Sequence, residues 1–148
     1  MPTMELRTSR FGTLQVEERE IYTFERGLPG FEQHKAFVIV SPEEDEPFAF
    51  LQSVSDPDLA FIIVDPFLFY RDYDFELSDA VAEELKIESP EQVVVRAIIS
   101  IRGELESATI NLVAPIIINA EARLGKQVVL GKSPYTTRHP LFAAERNR

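Results

Sequence analysis

Two histidines, several closely spaced carboxylates and the hydroxyls are the only side chains here suited to acid–base or nucleophilic work, because the chain has no cysteine. His34 sits in the polar string Phe31-Glu32-Gln33-His34-Lys35, and His139 precedes Pro140; nothing in their spacing marks them as a pair. A catalytic set needs a nucleophile, a base and a group that orients the base, and the sequence shows no such grouping. It contains no Gly-x-Ser-x-Gly, no His-Glu-x-x-His and no glycine-rich phosphate loop. Asp56-Pro57-Asp58 and Asp72-Tyr73-Asp74 place carboxylates two residues apart, enough for two oxygens on a hard cation but short of the roughly six that calcium takes. A hydrolase built on Asp56, Asp58 or Asp65 is the residual catalytic alternative. The reading is of a protein that is not an enzyme and that uses no cofactor and no metal.

Binding chemistry is better represented. Phe67-Leu68-Phe69-Tyr70-Arg71-Asp72-Tyr73-Asp74-Phe75 holds five aromatics in nine residues, interleaved with charge. Protein interfaces favour aromatic anchors within a polar rim, and tyrosine tolerates a half-wet position. Phe67, Phe69, Tyr70, Asp72, Tyr73 and Asp74 are therefore the candidate partner-binding residues. The competing reading is an edge strand with Phe67, Phe69 and Phe75 turned to the core, which leaves Tyr70 and Tyr73 as the interface candidates.

These side chains need a scaffold, and the pattern is one of short Val-, Ile-, Phe- and Thr-rich runs punctuated by turn residues. Strands are expected over 13–16, 21–24, 36–41, 48–54, 59–64, 93–101, 107–113, 116–119 and 127–130. The acidic, proline-bounded stretch 42–47 reads as a solvated hairpin tip, and Ser55-Asp56-Pro57-Asp58 and Arg102-Gly103-Glu104 as further turns. One segment reads as helix, about residues 78–86. Ser78 caps its free amides, Asp79 suits the positive end of its dipole, and Leu77, Val81 and Leu85 share a face. The expected fold is mainly β: a small antiparallel barrel or sandwich with one short amphipathic helix.

Backbone chemistry singles out two further places. In Gly27-Leu28-Pro29-Gly30 the Pro-Gly pair suits a type II turn, so Gly27, Pro29 and Gly30 read as architectural. Pro115 has no amide hydrogen to donate, so the strand must bend or end there, and Asn111 and Asn119 bracket the break as partners for stranded backbone groups.

The chain has 148 residues, a size for one domain, taken as 1–142 with 143–148 as a flexible tail. It carries 25 acids against 15 Lys plus Arg, a net charge of −10. That charge disfavours direct contact with nucleic acid or anionic membrane. It is also uneven: residues 1–122 hold 24 acids and 9 bases, or −15, and residues 123–148 hold 1 acid and 6 bases, or +5. The stretch 132–140, rich in Pro and Thr, reads as leaving the fold in extended form, a handle for an acidic partner or for the acidic body. The longest uncharged apolar run, Leu112 to Ile118, is far short of the about 20 residues of a membrane span. With charge interleaved through the first thirty residues, a secretory leader is not expected, and the chain reads as cytoplasmic.

Several strings together resemble the FliW family: Phe24-Glu25-Arg26-Gly27-Leu28-Pro29-Gly30-Phe31; Leu51-Gln52-Ser53 with Asp56-Pro57-Asp58-Leu59-Ala60-Phe61; Ala108-Thr109-Ile110-Asn111-Leu112-Val113-Ala114-Pro115-Ile116; and Asn119 with Gly125-Lys126-Gln127-Val128-Val129-Leu130. The match runs from about Phe11 to Phe142. The resemblance implies a non-enzymatic cytoplasmic factor that binds flagellin and antagonises the RNA-binding translational regulator CsrA, so coupling flagellin synthesis to its secretion. A ligand-binding barrel of OB-like shape is the alternative; its mark would be a basic or aromatic groove, and Asp72, Asp74 and Glu76 standing among these aromatics disfavour nucleic acid as its ligand.

Overall fold

The computed structural model describes residues 3–42 and 47–142. The strands are β1 (Thr3–Thr8), β2 (Gly12–Glu17), β3 (Tyr22–Thr23), β4 (Ala36–Val40), β5 (Ala49–Ser53), β6 (Ala60–Val64), β7 (Val93–Ser100), β8 (Thr109–Ile110), β9 (Ile116–Asn119), β10 (Leu124–Gln127) and β11 (His139–Pro140), with helix α1 (Asp79–Glu84) between β6 and β7. Seven of them, in the order β3-β4-β5-β6-β7-β9-β10, close into a barrel. The closure between β10 and β3 is parallel and rests on one pair, Leu124 with Thr23. The other ladders are antiparallel. β8 and β11 extend the sheet from β7, and β1 and β2 form a separate hairpin.

Phe24, Phe37, Leu51, Ile63, Ile116 and Ile118 fill the barrel, all essentially without solvent contact. Three further clusters cover its outside. The β1–β2 hairpin lays Leu6 and Val16 on Val38, α1 lays Val81 and Leu85 on Ile117, and the aromatic segment and the C-terminal stretch bury Val64, Ala97, Ile99 and Ile110. Strands covered on both faces have no polar side to alternate with, which is why β4 (Ala-Phe-Val-Ile-Val) and β9 (Ile-Ile-Ile-Asn) are continuous apolar runs.

Local signals hold well. Ser78 Oγ accepts the Val81 N–H (3.2 Å), capping α1 as its sequence implies, and Leu77, Val81 and Leu85 pack together on the barrel wall. The helix ends in a Schellman-type turn, with Lys86 at φ +58° and the Ile87 N–H donating to Ala82 O (2.8 Å). In the glycine-rich string the Phe31 N–H donates to Leu28 O (2.7 Å) across Pro29-Gly30, with Gly30 at φ +86°. Gly27 lies at φ +62°, and a Cβ there would come within 2.6 Å of the Glu32 backbone.

Several expectations are corrected. β1 was not anticipated, because three of its first four residues are exposed and its sequence carries no long apolar run. The strand expected over 107–113 shrinks to β8, preceded by a 3-10 turn at Leu105–Ser107. β10 begins at Leu124, three residues before the expected start, since pairing with β9 rather than local composition sets its register. The stretch 132–140 does not leave the fold: β11 pairs with β8, Leu141 is fully buried, and the Leu112 N–H donates to Thr136 O (3.1 Å). The acidic tip Glu43–Glu46 and the tail 143–148 lie outside the described residues.

Candidate partner-binding surface

The aromatic segment is no edge strand. Asp65 Oδ1 accepts the Phe67 N–H (3.0 Å) and caps a 3-10 turn, Pro66–Leu68, whose proline is buried and whose next two side chains stand out from the surface. Phe67 is 41% exposed and Leu68 64%. The core position that the edge-strand reading gives Phe67 is thereby corrected, and the exposure of Leu68 does not follow from the sequence, where it is one more apolar residue in a dense run. From there the chain crosses the outside of the barrel as a strap, with Arg71, Asp72, Asp74 and Glu76 exposed along it.

Its other aromatics bind the protein to itself. Phe69 packs between Phe48 and Phe142, at ring separations of 6.4 and 6.5 Å. The Tyr70 hydroxyl donates to Pro140 O, and its ring lies edge-on to His139. Tyr73, expected at an interface, is instead 4% exposed; its hydroxyl donates to Leu112 O (2.7 Å) and its ring meets Tyr135 at 4.7 Å. Phe75 is half-buried against it. Burial pushes the Tyr73 phenol well above its ordinary pKa, since the anion would lose both hydration and its donor role. The segment thus divides: Tyr70 and Tyr73 clamp the C-terminal stretch, while Phe67, whose ring rests 5.6 Å from that of Tyr73, reaches the surface with Leu68, Asp72 and Asp74 as an apolar knob with an acidic flank.

The residues weighed for chemistry have structural partners. Asp56 Oδ1 accepts the Asp58 N–H (2.9 Å), Asp58 takes the Ser9 hydroxyl, and Asp65 caps its turn, so the three carboxylates of the hydrolase alternative are used in holding loops. His34 Nδ1 lies 3.3 Å from Ser55 Oγ. His139 Nε2 accepts the Thr136 N–H (2.9 Å), and burial lowers its pKa. Among the described residues no group of three or more His, Asp and Glu side chains is placed to hold a metal ion, and no helix is long and apolar enough to cross a membrane.

The asparagines around Pro115 act at different places. Asn111 Oδ1 accepts the Ala114 N–H (3.0 Å), turning the chain into the proline. Asn119, fully buried, donates through Nδ2 to Leu85 O (2.8 Å) and Lys86 O (3.0 Å) and accepts the Glu121 and Ala122 N–H groups (3.0 and 3.1 Å). It therefore ties the C-terminus of α1 to the turn that leads into β10. Glu84 adds an ionic tie at the same seam, to Lys126 (2.7 Å) on β10 and Arg26 (3.0 Å) after β3, and the Lys126 ammonium holds its carboxyl below the usual range. Part of the basic C-terminal charge is in this way spent on the acidic body.

Known proteins share this arrangement. The chain is 44% identical over 138 residues to the flagellar assembly factor FliW of Bacillus subtilis strain 168, covering 93% of this chain and 96% of that protein. It is 44% identical over 140 residues to the protein of the same name from Moorella thermoacetica, with 94% and 89% covered. A crystal structure of a flagellar assembly factor FliW superimposes with a TM-score of 0.88 at 39% identity, over 94% of this chain and 97% of that one. The family model described as FliW protein matches residues 5–141. A match that spans the barrel, the strap and the docked C-terminal stretch alike makes this chain a member of the FliW family.

Proposed function

We propose that this chain is a cytoplasmic flagellar assembly factor that binds flagellin and, once flagellin has been exported, captures the translational regulator CsrA and relieves repression of flagellin synthesis. The observation that carries this reading is the family membership: full-length relatives at 44% identity are named flagellar assembly factors. The action is protein–protein contact, without cofactor, catalysis, or direct contact with nucleic acid or membrane. The binding surface we assign is the knob of Phe67 and Leu68 with Asp72 and Asp74 beside it, because exposed aromatic and aliphatic anchors with a charged rim are what partner surfaces use. Tyr73 supports that surface from beneath, its ring 5.6 Å from that of Phe67, and Tyr70 stands half-buried beside it.

The charge distribution supplies a mechanism for antagonism. An RNA-binding regulator must present basic surface to phosphates, so docking a chain of net charge −10 beside it lowers its attraction for RNA even where the RNA site stays uncovered. Calorimetric titration of the chain against CsrA, with and without flagellin, tests the reading: saturable binding to each, with flagellin displacing CsrA, is expected, and no binding to either refutes it. Inhibition of RNA binding should fall with added salt more steeply than binding to CsrA does; equal slopes exclude the charge mechanism. Phe67→Ser with Leu68→Ser should weaken a partner at least tenfold in a chain that still folds, the melting temperature falling only by the loss of Phe67 from the Tyr73 ring.

A further inference from the structure

β10 presents an open edge. The antiparallel partners Lys126 and Ile117 are followed in register by the Val128 N–H on Pro115 O (2.9 Å) and the Leu130 N–H on Val113 O (2.7 Å), so the backbone groups of residues 126, 128 and 130 face β9. Alternation then turns the N–H and C=O groups of Gln127 and Val129 the other way. β3, which closes the barrel on that side, reaches only Leu124. Among the described residues no backbone hydrogen bond joins Gln127 or Val129 to the strap. Between this edge and Asp74–Ser78 of the strap runs a trench of about 690 Å³, with Phe75, Val81 and Val128 giving apolar lining and Asp74 and Glu76 on the opposite wall. Lys126 and Lys132 also line it; Lys126 is already paired with Glu84, which leaves the two carboxylates against the single ammonium of Lys132, and Val129 is 67% exposed.

We infer that this trench takes an extended segment of a partner protein, added to the edge of β10 as one more strand. Sheet edges recruit such segments through main-chain bonds while pockets select the side chains. Gln127 and Val129 offer two N–H and two C=O groups, spanned by roughly four to five extended residues at ~3.4 Å each. The strand's alternation sends one set of side chains toward Phe75, Val81 and Val128 and the other toward Asp74 and Glu76. The occupant is therefore alternating apolar and basic. This surface is separate from the Phe67–Leu68 knob, and its occupant is defined by that chemistry, whichever protein carries it.

The test uses the full chain and two capped hexapeptides at millimolar concentration, Lys-Val-Lys-Val-Lys-Val and its Glu-for-Lys counterpart, with amide exchange read residue by residue by NMR. The basic peptide should slow exchange of the Gln127 and Val129 amides at least tenfold, and the acidic one should not. Val129→Pro removes a single N–H that makes no bond within the protein, at a position whose extended backbone suits proline. It should weaken the basic peptide at least tenfold, whereas Val129→Ala binds within threefold of the parent. Unprotected Gln127 and Val129 amides overturn the inference, as does equal binding by the proline variant; should that variant unfold, the exchange result on the parent decides. Because the probes are synthetic, protection of these amides together with no binding of flagellin or CsrA would refute the proposed function and leave the trench standing.

Discussion

Replacing Asn119 with Ala should cost more stability than any other loss of a single polar side chain in the described part of this protein. The carboxamide makes four bonds of 2.8–3.1 Å to main-chain groups of two different segments, and its own exposure is nil. Leu85 O is left buried without a donor, at a cost of about 1–3 kcal/mol, while the other three groups lie nearer water and forfeit about 0.5–1 kcal/mol each. The sum, roughly 2.5–6 kcal/mol, is a large part of the ~5–15 kcal/mol typical of a whole domain. At ~2–4 °C per kcal/mol for a chain of this size, the calorimetric midpoint should drop by about 5 °C or more. Amide exchange should show α1 opening first, since Asn119 holds its last carbonyls. Asn119→Asp sharpens the test. A carboxylate facing Leu85 O and Lys86 O has its folded pKa raised, so the variant is most stable below the ordinary aspartate value of about 3.9 and loses stability as pH rises through the folded pKa. A midpoint for Asn119→Ala within about 2 °C of the parent would refute the reasoning.

Gly27→Ala should destabilise at least twice as much as Gly30→Ala in urea titrations: both demand positive φ, at about 1–2 kcal/mol each, but only at position 27 does the new methyl meet backbone, at 2.6 Å. Tyr73→Phe leaves Leu112 O buried without its donor and should cost about 1–3 kcal/mol by the same titration; no change would mean that Leu112 O finds another partner. His139 has its pKa lowered by burial and uses Nε2 as an acceptor, so it binds protons less readily folded than unfolded. Its stabilising share is full above the free imidazole value of about 6.5 and is lost as pH falls through the folded pKa. Thermal melts between pH 7 and 5 should therefore fall more steeply for the parent than for His139→Gln, and parallel curves would contradict the assignment.

Features governed by neighbouring residues were legible in one dimension. The Ser78 cap, the Pro29-Gly30 turn, the break at Pro115 and the run of β9 each depend on contacts within a few residues, and each stands where the sequence places it. The apolar runs and the single helix likewise pointed to a small antiparallel barrel or sandwich, and the family strings pointed to the same fold class. Which side chains face solvent was not legible in this way. Tyr73 and Phe67 lie six residues apart in one aromatic segment; Tyr73 is sealed because Leu112 and Tyr135, far along the chain, close over it, while a short turn leaves Phe67 on the outer side of the Tyr73 ring, 41% exposed. The basic C-terminal stretch looks like a solvated tail because it is rich in Pro and Thr, and only its pairing with β8 and its aromatic clamp draw it in. The open edge of β10 exists because β3 is two residues long and closes the barrel at one pair. Hydrogen bonds within a turn are decided by local order; burial, strand register and free edges are decided by which distant segments arrive, and that is a property of the folded chain alone.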